Sequence, residues 1–133
     1  MMSDSTLELD VASAVRAALK EDIGEGDYTA NLLPADRQAY ATVISRQAAV
    51  VCGAPWFEQC FRELDPGVEI RWRAADGVEV SPGDVVCEIA GNARALLSAE
   101  RAALNFLQTL SATATATRRY VEAIPGTPAR IYD

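Results

Sequence analysis

A chain of 133 residues, half of them hydrophobic, can bury one core and is too short for several domains of ordinary size. A formal charge of −7 with a single lysine, Lys20, argues against a sequence-independent grip on nucleic acid, which needs basic side chains facing the phosphates. No apolar run approaches the length of a membrane span. The acidic start "MMSDSTLELD" also lacks the basic flank and apolar stretch of a signal peptide, so the expected location is the cytoplasm, with no membrane partner.

Leu7, Val11, Ala14/Val15, Ala18 and Leu19 fall at three- and four-residue steps, which predicts an amphipathic helix over residues 7–20. Gly24 and Gly26 in "EDIGEGDYT" supply the backbone freedom to stop it, and Asp22 and Asp27 can hydrogen-bond locally in the turn. From Ala39 the texture becomes β-branched alternation, and Tyr40, Thr42, Ile44 and Val50/Val51 predict two short strands. Pro55 then suits the first turn of a helix that places Trp56/Phe57, Cys60/Phe61 and Leu64 on one side and ends at Asp65-Pro66-Gly67.

Val68, Ile70 and Trp72 alternate with charged residues. The "ADG" and "SPGD" turns before Val85/Val86 and Ile89 predict short antiparallel strands, part of a small sandwich. "NARALLS" reads as one more extended segment, followed by a long helix capped by Ser98. Its apolar or small face is predicted to continue through Leu107, Leu110, Ala114, Thr117, Val121 and Ile124. Within it, "SATATATRR" is a small-residue tract open to close approach by another backbone, and Arg118 and Arg119 suit the negative end of the helix dipole. The Pro/Gly linker beyond leads to "ARIYD", read as the first strand of a new unit.

Cys52, Cys60 and Cys87 make an odd number without C-x-x-C spacing, so they are expected to be reduced and mostly buried. The chain has no histidine, which removes a Ser-His or Cys-His dyad and the commonest transition-metal ligand. "EDIGEGDYT" mixes acids and glycines but fails the ligand spacing of a calcium loop. "DGVEVSPGDVVCEIAG" has the cadence of a biotinyl or lipoyl carrier, yet no lysine stands at a hairpin tip to be modified.

Eleven of the twelve basic residues are arginine, the side chain suited to planar, bidentate recognition of carboxylate or phosphate. Arg101 is the one that raises a question. A helix starting near Ser98 would put it in the first turn, where the dipole opposes a cation. Either it is a surface arginine paired with Glu100 or another acid, or it helps the helix N-terminus to receive an anion, which would neutralise the mismatch.

Taken together, "EDIGEGDYTANLLP", "GAPWFEQCF", "DGVEVSPGDVVCEIAGNARALLSAERAALNFLQTLSATAT" and "ARIYD" resemble the N-terminal part of the quinolinate phosphoribosyltransferase (nicotinate-nucleotide diphosphorylase, carboxylating) family. The resemblance runs from about Ala18 to Asp133, and the "ER-ALNFLQ-LS" block is its most specific piece. It implies a pentosyltransferase of NAD biosynthesis that condenses quinolinate with phosphoribosyl pyrophosphate, using Mg2+, to give nicotinate mononucleotide, CO2 and pyrophosphate. The ring nitrogen attacks C1′ of the ribose as pyrophosphate leaves, and the carboxylate at the 2-position is lost afterwards.

The implied fold is α+β, an N-terminal α/β sandwich of short antiparallel strands packed with helices, barrel-sandwich-like. It ends at the first strand of an α/β barrel that is missing from this chain. On that reading residues 1–124 form the dimerisation and substrate-contacting domain, and residues 125–133 form a linker and the first barrel strand. The family resemblance further implies head-to-tail homodimers in which Arg101 reaches the quinolinate carboxylates in the partner's barrel, while the missing barrel holds phosphoribosyl pyrophosphate and magnesium. The chain departs from the family pattern at Ala112 and Thr113, where Gly and a β-branched residue are usual, and it ends where the family continues into Thr-Arg-Lys-Thr. Alone it is expected to be inactive, with neither catalytic nor metal-binding residues of its own. The alternatives are a non-catalytic dimerisation or binding module, and the family's paralogue linked to molybdenum transport.

Overall fold

The computed structural model describes residues 3–124 and Gly126. The expected barrel strand "ARIYD" and most of the linker before it lie outside the described residues. Helix α1 spans Asp4–Ile23, capped by the Ser3 hydroxyl, which accepts from the Thr6 amide. It buries Val11, Val15 and Leu19, while Leu7, the first member of the predicted stripe, stays on the surface. Gly24 takes φ +63° and donates its N–H to the Lys20 carbonyl, ending the helix where the glycines predicted.

Strands β1 (Gln38–Ile44) and β2 (Ala49–Val50) follow, then helix α2 (Ala54–Leu64) and strands β3 (Glu69–Trp72), β4 (Glu79–Val80) and β5 (Val85–Asn92). Two antiparallel sheets result, ordered β1-β5-β3 and β2-β4. The register sets Ala41 and Ile70 on either side of Ile89, and Val43 and Trp72 on either side of Cys87. One apolar face of the central strand β5 is thus backed from both neighbours. The helices cover this face, and Phe57 lies fully buried between Phe61 and Trp72, with ring centroids 5.1 and 5.3 Å away.

The start of α2 is capped from a distance. Gly53, at φ +112°, and Ala54 donate their amides to the two carboxylate oxygens of Asp76, at 3.2 and 3.1 Å. A negative side chain from the turn between β3 and β4 therefore satisfies the free N–H groups and complements the positive end of the dipole. At the other end Asp65 accepts from Gly67 (3.0 Å) and from Asn92 (2.9 Å), tying the end of α2 to the end of β5. Gly91 makes room for this carboxylate, since a Cβ there would lie 2.7 Å from Asp65 Oδ2.

The largest departure from the sequence reading is in the last helix. Helix α3 spans Ala93–Glu122, so "NARALLS" is no separate extended segment and Ser98 is no cap. Asn92 caps instead, its side chain accepting from the Ala95 amide at 3.1 Å, and β5 runs into α3 with no intervening turn. The apolar face also stops early. Burial is complete through Leu107 and partial at Leu110 and Ala114, but Thr117 and Val121 are exposed.

Hydroxyls of the small-residue tract complete the edge of β2. Ser111 Oγ accepts the Cys52 amide at 3.0 Å and Thr115 Oγ1 accepts the Val50 amide at 2.9 Å. Ser111 also donates to the Cys52 carbonyl.

All three cysteines are unpaired, and burial pushes the thiols of Cys60 and Cys87 up to about 12. Cys52, only half-buried, is raised by desolvation and by the nearby Asp76. Because the thiolate is the reacting species, native protein at pH 8 is expected to be alkylated slowly at Cys52 and not at the other two. Mass spectrometry should count one label before denaturation and three after it.

Candidate functional site around Arg101

Arg101 lies in the third turn of α3, beyond the reach of the helix N-terminus, so the mismatch with the dipole does not arise. Arg94 occupies the first turn instead. Its Nε donates to the Leu33 carbonyl at 2.7 Å and Nη2 reaches the Asn31 carbonyl at 3.4 Å, so two chain oxygens offset the cation. Sequence reasoning missed this role, because a strand was expected at that position.

Ser98, Arg101 and Asn105 recur at three- and four-residue steps and share one face of α3. Opposite them lie the end of α1 and the loop that follows it. Together these elements form an open cleft of about 1240 Å³, lined by Asp22, Asp27, Tyr28, Ser98, Arg101 and Asn105 among others. The acidic loop "EDIGEGDYT", read from sequence as a helix stop and turn, is thus also one wall of the Arg101 cleft.

Asp27 does two jobs. One carboxylate oxygen accepts the Ala30 amide at 3.0 Å, starting the single 3-10 turn Ala30–Leu32, and the other accepts the Ser98 hydroxyl at 2.9 Å. The first is the local bond that the motif predicts; the second crosses to α3, and no spacing in the sequence announces it. The Ala30 N–H, then the Ser98 hydroxyl, and more weakly the Arg101 charge hold the Asp27 carboxyl below the usual range.

A folded pKa below the unfolded value of about 3.9 means that this stabilisation is complete above that pH and disappears as pH falls through the folded value. Asp27→Asn is therefore expected to be less stable than the parent at pH 7, with the gap closing below about pH 4. Urea denaturation at pH 7 and pH 3 checks it, and a gap that is constant with pH would contradict the assignment.

The Arg101 side chain is 86% exposed, and its Nη1 lies 3.7 Å from Asp22 Oδ1. That distance makes an ion pair but not a hydrogen bond, so the guanidinium keeps its donors available to the cleft. The surface pairing weighed from sequence is therefore present, with Asp22 and not Glu100 as the acid. A permanently charged, planar fork facing open space can bind and orient a carboxylate or phosphate and cannot transfer a proton. Among the described residues, no group of three or more His, Cys, Asp or Glu could hold a metal ion, so they supply no donor set suited to magnesium. No helix among these residues is long and apolar enough to cross a membrane.

Residues 27–111, which include the α3 wall of the cleft and Asp27 and Tyr28 of the facing wall, match the family model described as quinolinate phosphoribosyl transferase, N-terminal domain. The chain belongs to that family. A probable nicotinate-nucleotide pyrophosphorylase (carboxylating) from Synechocystis is 39% identical over 115 residues, covering 86% of this chain and 39% of the relative. A quinolinate phosphoribosyltransferase (decarboxylating) from Nicotiana tabacum is 33% identical over 116 residues, 86% of this chain and 33% of its own length. Among solved structures, the nicotinate-nucleotide pyrophosphorylase from Francisella tularensis superposes with a TM-score of 0.82 at 37% identity, covering 86% of this chain and 41% of that one. The chain thus spans between about a third and two fifths of these family members, and its α+β fold of short antiparallel strands and helices is that of the Francisella tularensis structure over the part they share.

Proposed function

We infer that the chain serves as the substrate-contacting N-terminal part of an enzyme that joins quinolinate to phosphoribosyl pyrophosphate, giving nicotinate mononucleotide, CO2 and pyrophosphate. The observation that carries this reading is the family match over the very residues that present Arg101, exposed, at an open cleft. Residues 1–124 form the domain that pairs with a second copy, and residues 125–133 form a linker and the first strand of the barrel. Arg101 grips the quinolinate carboxylates in the barrel of the partner subunit, and magnesium travels with phosphoribosyl pyrophosphate in that barrel. The cytoplasm is the place of action.

The chemistry suits the residue. Pyridine-2,3-dicarboxylate offers planar acceptors to a guanidinium fork, and charge-assisted bonds of this kind are about twice as strong as neutral ones. Arg101 fixes the ring so that its nitrogen faces C1′ of the ribose, a gain of orientation and not of proton transfer.

The test is a chimera in which this chain replaces the matched portion of the Francisella tularensis enzyme. Arg101→Ala is expected to lower kcat/KM for quinolinate on the order of tenfold to a hundredfold, the worth of a charged hydrogen-bond pair. Unchanged turnover and quinolinate affinity in a correctly assembled dimer would defeat the reading in favour of an assembly module.

A further inference from the structure

Resting on the reading of Arg101 as a substrate contact, we propose that Asp22 is a positioning residue: it tethers one end of the Arg101 guanidinium and so holds the remaining donors toward the cleft. An arginine side chain that is 86% exposed has many rotamers of similar energy, and nothing on its own helix restrains it in the structure. Asp22 is the only acid within ion-pair distance of it among the described residues. The tether is off α3, on the last turn of α1, and its side chain is 23% exposed against 86% for that of Arg101.

The anchor point is itself fixed. Asp27 clamps the loop after α1 to α3 through the Ser98 hydroxyl, three residues before Arg101 and on the same helical face. Gly24 closes α1 just beyond Asp22 through its bond to the Lys20 carbonyl. The acid and the arginine it holds are therefore carried on two elements locked together within one turn of the pair. The contact at 3.7 Å is Coulombic and engages a single Nη, so an incoming carboxylate need not displace Asp22 to find free N–H groups. The device is preorganisation: the fork is aimed before substrate arrives.

Two measurements test it. In the 133-residue chain, the side-chain Nε–Hε NMR signal of Arg101, identified by its loss in Arg101→Lys, is expected to move toward the position of free arginine in Asp22→Asn and to stay near its original place in Asp22→Glu. A signal in Asp22→Asn that superposes on the parent overturns the proposal. In the chimeric enzyme, Asp22→Asn is expected to raise KM for quinolinate about five- to tenfold with kcat within about twofold, Asp22→Glu to restore it, and the double variant with Arg101→Ala to be no worse than Arg101→Ala alone.

A KM that is unchanged or lowered by Asp22→Asn, while Arg101→Ala still impairs the enzyme, overturns the positioning role and leaves the substrate reading standing. A harmless Arg101→Ala overturns both.

Discussion

Phe57→Ala is expected to destabilise the chain by about 3–5 kcal/mol, enough to lower Tm by roughly 10–18 °C. The ring is fully buried, with Phe61 on its own helix tilted against it and Trp72 on β3 meeting it edge-on. Removing it takes away an apolar side chain that α2 places against both an aromatic of the sheet and its own next turn. The ring belongs to one buried apolar cluster with Ile89 of β5 and Ala103 and Leu107 of α3, and such a core relaxes only in part around a deleted side chain. Trp72 fluorescence reports the unfolding transition in urea, and Phe57→Leu should recover more than half of the loss. A loss below about 1 kcal/mol would mean that the core is not organised around this ring.

Gly91→Ala should cost about 3 kcal/mol, a large penalty for one methyl group. The backbone at this position is not in the left-handed region, so the penalty comes from space alone. The new Cβ would meet Asp65 Oδ2 at 2.7 Å and Val68 Cγ2 at 3.2 Å. The carboxylate cannot swing away without releasing the Asn92 and Gly67 amides, and a bond to a charged acceptor is worth about 1.5–3 kcal/mol. Val68 is itself buried and has no room to retreat.

The two sites are coupled, so Asp65→Ala should make the second substitution much cheaper than it is in the parent, a non-additivity that denaturant titration of the four-member cycle measures. Strict additivity would show that the clash is relieved by some other movement.

How far the sequence could be read depends on the range of the forces involved. Pro55 and the three- and four-residue spacing of Trp56, Phe57, Cys60 and Phe61 announced α2, because capping and amphipathicity are encoded within a few residues. Alternation around Ile70, Trp72 and Ile89 announced the strands in the same way. The start of α3 was misread for an equally local reason. No glycine or proline separates β5 from the helix, so the apolar run through Ala93, Ala95 and Leu96 continued the strand pattern, and Ser98 with Glu100 mimicked a later start.

The candidate site divides along the same line. Arg101 was visible as a lone cation, although the dipole conflict that drew notice to it came from the misplaced helix start. Its surroundings were not visible. The bond from Ser98 to Asp27 joins residues 71 positions apart, and the meeting of Arg101 with Asp22 depends on how α1 lies against α3. Family resemblance supplied the role proposed for the arginine, and only the fold shows the acids around it.

The hydroxyls that finish β2 have a consequence for the growing chain. Val50 waits for an acceptor 65 residues further on, and Cys52 for one 59 residues on. At translation rates of about 5–20 residues per second, the edge of β2 stays open for roughly 3–13 s after its own synthesis, with apolar Val50 and Val51 beside it. During that interval its unpaired amides are free to donate to the wrong strand, from this chain or another. The arrival of Thr115 ends the exposure, so the small-residue tract acts as a late closure that decides when the nascent domain becomes safe from its neighbours.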